Sequence, residues 1–264
     1  MRRSSALTLV LAGAALICGL ALPASAETIR FGVTAGPHAQ IAEALVPVAK
    51  AKGLDVKIVE FSDGALIDPA TQDGSLDANG FQHTPYLDQQ NQDRGLDIVS
   101  VARTVLLPMA GYSKKVKSLA ELKTGAVISI PNDPSNGGRA LKLLEAGGVI
   151  KLTPGSTFKA TEFDIVDNPK KVKILAMETA QLPRSLDDVD FSVITSHFAI
   201  SAGLLPSRDA ILIESQQSDY FCLIGVQRKR AGEPWVKILA ESYRSPEVKA
   251  AIEKTFKGNI ITAW

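Results

Sequence analysis

Strand-like and helix-like stretches alternate along almost the whole of this 264-residue chain. Residues 28–33 (Thr-Ile-Arg-Phe-Gly-Val) alternate as a strand does, and Thr34-Ala35-Gly36-Pro37-His38 reads as a turn opening a helix over residues 39–52. Ile41, Leu45 and Val48 share one face of that helix, and Pro47 inside the pattern marks a kink or break. Residues 55–61, with Val56, Ile58 and Phe61, read as a second strand. Parallel neighbours need a long crossover, so this rhythm predicts parallel strands covered by helices.

The rhythm continues through a helix over 65–72, a short strand over 76–79, a helix over 85–93 and a strand over 98–102, until Pro108 interrupts it. A second series places strands at 126–130, 172–175 and 191–194, with helices at 136–146, 180–186 and 197–202. Strands at 210–213 and 221–226 precede two terminal helices, 234–243 and 246–256. The expected fold is α/β with two lobes: residues 27–108 form the first, 109–206 the second, and 207–264 return to the first. A ligand cleft is expected between them, because domain interfaces favour small-molecule sites.

The first 26 residues read as a leader. Arg2 and Arg3 precede an uncharged apolar run over 6–22, and Ala24-Ser25-Ala26 offers small residues where a signal peptidase cuts. Cleavage after Ala26 and a periplasmic location are expected; the apolar run is short for a retained span. Cys18 lies within the leader, and Ala15-Leu16-Ile17-Cys18 fits a lipid-attachment pattern poorly, so a free protein is expected over a lipoprotein. Cys222 is then the only thiol left, which precludes an internal disulfide. A hydrophobic content of 45% excludes a disordered chain, and a net charge of +1 gives no footprint for nucleic acid.

No phosphate loop, dinucleotide fingerprint, nucleophile elbow or paired-cysteine motif is present, so no cofactor is expected. His38, His83 and His197 are far apart in sequence and predict no metal site. The most informative stretch is residues 131–141, Pro-Asn-Asp-Pro-Ser-Asn-Gly-Gly-Arg-Ala-Leu, between a strand and a helix. Helix-start amides together with Arg139 would suit a carboxylate; a capped helix with a solvated arginine is the plainer alternative. In residues 77–87, Phe81, His83 and Tyr86 could wall a small apolar pocket, or could be core residues and a helix cap.

Five stretches resemble one family: residues 31–38, 77–87, Pro108-Met109 with residues 112–115, 131–141, and 180–190. They resemble the MetQ/NlpA family of extracytoplasmic substrate-binding proteins, in order and over essentially the whole chain after the leader. The resemblance implies a two-lobed periplasmic binding fold of type II-like form, a non-catalytic role, and delivery of methionine or a related compound to an ABC permease and its ATPase. It implies that Arg139 pairs with the ligand carboxylate, that Asn136 orients it, and that Phe81 and His83 wall the ligand side chain. His38 and Tyr86 are further candidates, and a monomer is expected.

Three positions depart from the family pattern. Gly80 stands where a tyrosine is usual, which is expected to enlarge the pocket. Thr195 and Cys222 stand where asparagines are usual. Each buried hydrogen bond lost to a charged ligand group costs about 1.5–3 kcal/mol, so two would weaken the usual ligand roughly a hundredfold or more. A bulkier carboxylate is therefore the alternative ligand. An exported enzyme using Cys222 or His83, and an adhesin, are the competing classes; the first lacks a recognisable nucleophile and base pair.

Overall fold

The computed structural model describes residues 27–264; the readings of the leader, including Cys18, fall outside the described residues. The chain begins with β1 (Glu27–Thr34), α1 (Pro37–Ala51), β2 (Leu54–Phe61), α2 (Ile67–Asp73), β3 (Ala78–Asn79), α3 (Thr84–Arg94) and β4 (Ile98–Arg103). After β5 (Val105–Leu106) come β6 (Ala110–Tyr112), β7 (Val127–Pro131), α4 (Pro134–Ala146), β8 (Lys151–Leu152), β9 (Ile165–Asp167) and β10 (Lys173–Met177). Then follow α5 (Leu182–Ser185), β11 (Phe191–Ile194), α6 (Ser196–Ser201), α7 (Pro206–Asp209) and β12 (Leu212–Ile213). β13 (Leu223–Gln227), α8 (Pro234–Tyr243), α9 (Pro246–Phe256) and β14 (Ile261–Thr262) complete it.

Two five-stranded sheets result, ordered β2-β1-β3-β13-β4 and β10-β7-β11-β6-β12. In the first, β1 runs parallel to β2 and β3, while β13 enters antiparallel between β3 and β4. In the second, β7 runs parallel to β10 and β11, and β6 is antiparallel to β11 and β12. The sheets are mixed rather than purely parallel, because each accepts strands from a chain that changes lobes. Strand β12 still belongs to the second sheet, so the return expected at residue 207 comes later, and β13 is the first strand back.

Each lobe has its own core. Ile29, Phe31 and Val33 of β1 lie fully buried beneath Ile41, Ala42, Leu45 and Ala49 of α1, with Trp235 and Leu239 from α8 and Val248 and Ile252 from α9. In the second lobe, Ile128 and Ile130 of β7 pack with Leu141 and Leu144 of α4 and with Phe191 and Val193 of β11. Burying one such side chain stabilises the fold by about 1.5–3 kcal/mol. Of the kink or break expected at Pro47, the break does not occur: α1 runs through it, with Pro47 and Glu43 both on the exposed face. The carbonyl that loses its partner to the proline thus lies on the solvent side of the helix. No helix among the described residues is long and apolar enough to cross a membrane.

Candidate functional site

The parallel strands of both sheets end at one cavity. Thr34 ends β1, Phe81 and His83 follow β3, Asp133, Asn136 and Arg139 follow β7, Glu178 follows β10, and Thr195 and His197 follow β11; all of them line a space of about 320 Å³. Ligands of open α/β sheets sit beyond the carboxyl ends of the strands, and here two sheets share that space.

The stretch at 131–141 builds the second-lobe wall. Pro134 occupies the first turn of α4 and Asp133 caps it, its Oδ1 accepting the Asn136 backbone N–H at 2.9 Å. Both oxygens of Asp133 also accept from Asn136 Nδ2 at 3.1 Å, and Oδ1 accepts the Ser135 hydroxyl at 3.0 Å. The helix start expected to hold a ligand carboxylate therefore carries one of the chain's own, and Arg139, one turn further on, is the positive group left on this wall. Among the described residues it is the only lysine or arginine lining the cavity.

Arg139 is buried and fixed from three sides. Its Nε donates to Glu214 Oε1 at 2.9 Å and its Nη2 to Glu214 Oε2 at 2.5 Å and to the Leu107 carbonyl at 3.2 Å. The Tyr220 ring lies under the guanidinium, 4.3 Å from Cζ to the ring centre. A planar five-donor fork keeps its remaining edge for a ligand under such constraints.

His83 caps α3 from the first lobe and reaches across the cleft. Its Nδ1 accepts the Tyr86 backbone N–H at 3.2 Å, so the proton of the neutral ring sits on Nε2, which donates to Asn136 Oδ1 at 3.1 Å. Burial, reinforced by the positive charge of Arg139, lowers the His83 pKa to about 3 against the opposing hydrogen bond to Asn136. His38 and His197 face each other from the two lobes with ring centres 5.6 Å apart. Burial lowers His38 to about 4, and burial followed by the neighbouring His38, Arg139 and His83 holds His197 well below its ordinary value. All three rings are thus neutral at pH 7. Thr34 Oγ1, His38 Nδ1, Thr195 Oγ1 and Gln82 Oε1 belong to cavity-lining residues and have no hydrogen-bond partner among the described residues. Buried polar atoms are rarely left so.

Eight of the nine candidate residues meet here: Arg139, Asn136, Phe81, His83, Thr195, Cys222, His38 and Tyr86 all line the cavity. Gly80 does not. A Cβ at Gly80 would overlap the tip of the Phe31 ring in the first core, so the residue makes room for that ring and opens no pocket. Cys222 lies in a backbone bridge with His83, and burial pushes its thiol up to about 12 despite nearby Arg139, which makes it a packing group. His197, Tyr220 and Glu214 were not singled out from sequence. The first two line the cavity and Glu214 stands behind Arg139. The acidic Glu214 lies 75 residues from Arg139, and no spacing rule joins them. Among the described residues no three or more His, Cys, Asp or Glu side chains are placed to hold a metal ion.

Comparison with known proteins places this geometry among relatives. Residues 29–264 match the family described as NlpA lipoprotein. The chain is 46% identical over 239 residues to the D-methionine-binding lipoprotein MetQ of Salmonella typhi, covering 89% of this chain and 88% of that protein. A nutrient binding protein from Burkholderia cenocepacia, solved bound to methionine, superposes with a TM-score of 0.88 at 48% identity, covering 89% of this chain and all (100%) of that one. An ABC transporter periplasmic substrate-binding protein from Coxiella burnetii gives a TM-score of 0.87 at 46% identity, covering 89% of this chain and 100% of that one. The names bear on anchoring: the expectation against a lipoprotein is overturned by a family and a relative that are both named lipoproteins.

Proposed function

Because the chain belongs to the NlpA lipoprotein family, we propose that it is the extracytoplasmic substrate-binding component of an ABC importer, that its ligand is methionine or a close amino-acid relative, and that it performs no chemistry on that ligand. The observation that carries this reading is Arg139: a buried guanidinium with one unspent edge, set at the carboxyl ends of strands from two lobes. The carboxylate of an amino acid occupies that edge. Asn136, oriented by Asp133 and His83, stands beside it. Phe81, Tyr86 and Tyr220 wall the side chain, and Thr34, His38 and Thr195 supply the remaining polar contacts.

Support for closure comes from contacts already spanning the cleft. His83 bonds Asn136, Lys159 Nζ donates to Gln92 Oε1 at 3.1 Å, and His38 faces His197. A ligand touching both walls favours the closed arrangement, and the closed arrangement is what a membrane permease would recognise. Anchoring through Cys18, the one leader cysteine, fits the lipoprotein names. Metabolic labelling with palmitate reads it: label lost in Cys18→Ala supports the anchor, and an unlabelled protein beginning at Glu27 refutes it.

The functional test is calorimetric titration of ligand-stripped protein with L-methionine, D-methionine and larger amino acids, followed by recovery of the ligand. Saturable binding of methionine returned unchanged supports the proposal. Conversion of the ligand would move the protein to the enzyme class, and binding confined to larger carboxylates would replace methionine.

A further inference from the structure

We infer that Glu214 determines the charge class of ligand that the cleft accepts: by neutralising Arg139 from behind, it makes the site select a zwitterion over an anion of the same shape. The inference rests on the reading of Arg139 as the carboxylate anchor and adds a specificity residue to it.

Glu214 takes two of the guanidinium's hydrogen bonds, from Nε at 2.9 Å and Nη2 at 2.5 Å, in a largely buried pair whose side chains keep 5% and 12% of their exposure. The backbone holds Glu214 in that place. Its N–H donates to the Met109 carbonyl at 2.9 Å, and its Oε2 accepts the Met109 N–H at 3.2 Å, so it is fixed to the segment where the chain crosses between lobes. Leu107 of the same segment accepts from Arg139 Nη2. Only Nη1, with its two N–H groups, is left without a partner among the described residues, so a carboxylate is held from that one nitrogen rather than by a fork of two.

The one cationic side chain that the described residues place on the cavity wall is matched by a carboxylate, and Asp63, Asp133 and Glu178 add negative charge around the cavity. The three histidines that face the space are neutral. A ligand carboxylate entering alone leaves the site with excess negative charge in a poorly solvated place. A ligand that carries its own ammonium does not. Interactions of this kind act more on selectivity than on total affinity.

The test compares methionine with its 2-hydroxy acid analogue, in which a hydroxyl replaces the ammonium and the shape is kept, in wild-type protein and in Glu214→Gln. Wild type binds methionine at least tenfold more tightly than the hydroxy acid. In Glu214→Gln the ratio moves at least tenfold toward the hydroxy acid, because Arg139 now carries an uncompensated charge. Equal weakening of both ligands, or any smaller change in ratio, overturns the inference and leaves Glu214 a structural support. Glu214→Asp, which keeps the charge, retains the wild-type ratio even where affinity falls. For a Gln variant too unstable for titration, the shift in thermal midpoint produced by each ligand reads the same ratio. Wild-type protein that binds neither ligand overturns the functional reading and this inference with it, whereas wild type that binds methionine with an unchanged ratio in the variant overturns this inference alone.

Discussion

Both lobes end three parallel strands at the cavity, yet they deliver different side chains to it. The first lobe supplies contact surface and neutral polar groups, Phe81, Tyr86, His83, His38 and Thr34, with Asp63 as its only charged residue on the lining among the described residues. The second supplies Arg139 with Asp133, Asn136 and Glu178. A ligand held by charge on one wall and by shape on the other has to touch both, and that requirement links binding to closure. The cores beneath are built alike: Gly80 admits the ring of Phe31 in the first lobe, and Gly111 admits the ring of Phe191 in the second.

The sharpest way to break the likeness of the cores is to empty each in turn. Phe31→Ala and Phe191→Ala are each expected to lower stability by about 3–5 kcal/mol in urea unfolding. A loss confined to one variant would show that the lobes do not carry equivalent cores. Acid probes the neutral wall next. His38 and His83 have pKa values lowered to about 4 and about 3, so the folded state binds fewer protons than the unfolded chain below the ordinary histidine value of about 6.5. Their contribution is present above pH 6.5 and is lost as pH falls toward 4, at up to about 1.4 kcal/mol per pH unit for each ring. Thermal midpoints measured from pH 7 to 4 are expected to fall less steeply in His38→Gln than in wild type.

Gly80→Ala is expected to cost about 1–3 kcal/mol through crowding of Phe31, with methionine affinity unchanged. Altered affinity at unchanged stability would return Gly80 to the pocket. The mildest probe is Asn136→Ala, which removes the hydrogen bond from His83 and with it about 1 kcal/mol, or roughly fivefold in affinity by titration.

What could be read from sequence follows the range of the interactions. Strands with alternating or continuous apolar residues, such as β1 and β11, and helices such as α4, α8 and α9 were legible because their determinants lie within a few residues, although α4 begins at Pro134, two residues before the expected start. The pairing of Val105–Leu106 with Ile261–Thr262 was not, since two-residue strands far apart in the chain carry no period. The site divides in the same way. Arg139 and Asn136 stood out within a turn-rich stretch, whereas Glu214 and Tyr220 become neighbours of Arg139 only once the segment between β12 and β13 folds against α4. The reading of Gly80 failed for a packing reason, because the ring that fills its missing side chain belongs to β1, 49 residues away.

The most direct measurement is the affinity of Arg139→Ala for L-methionine beside that of wild type, with folding of the variant checked by circular dichroism. Removal of the one cationic anchor is expected to weaken binding about a hundredfold, close to the 2.8 kcal/mol of a charge-assisted hydrogen bond. Binding within threefold of wild type would show that the carboxylate is held elsewhere and that the charged wall of the second lobe is not the ligand's anchor.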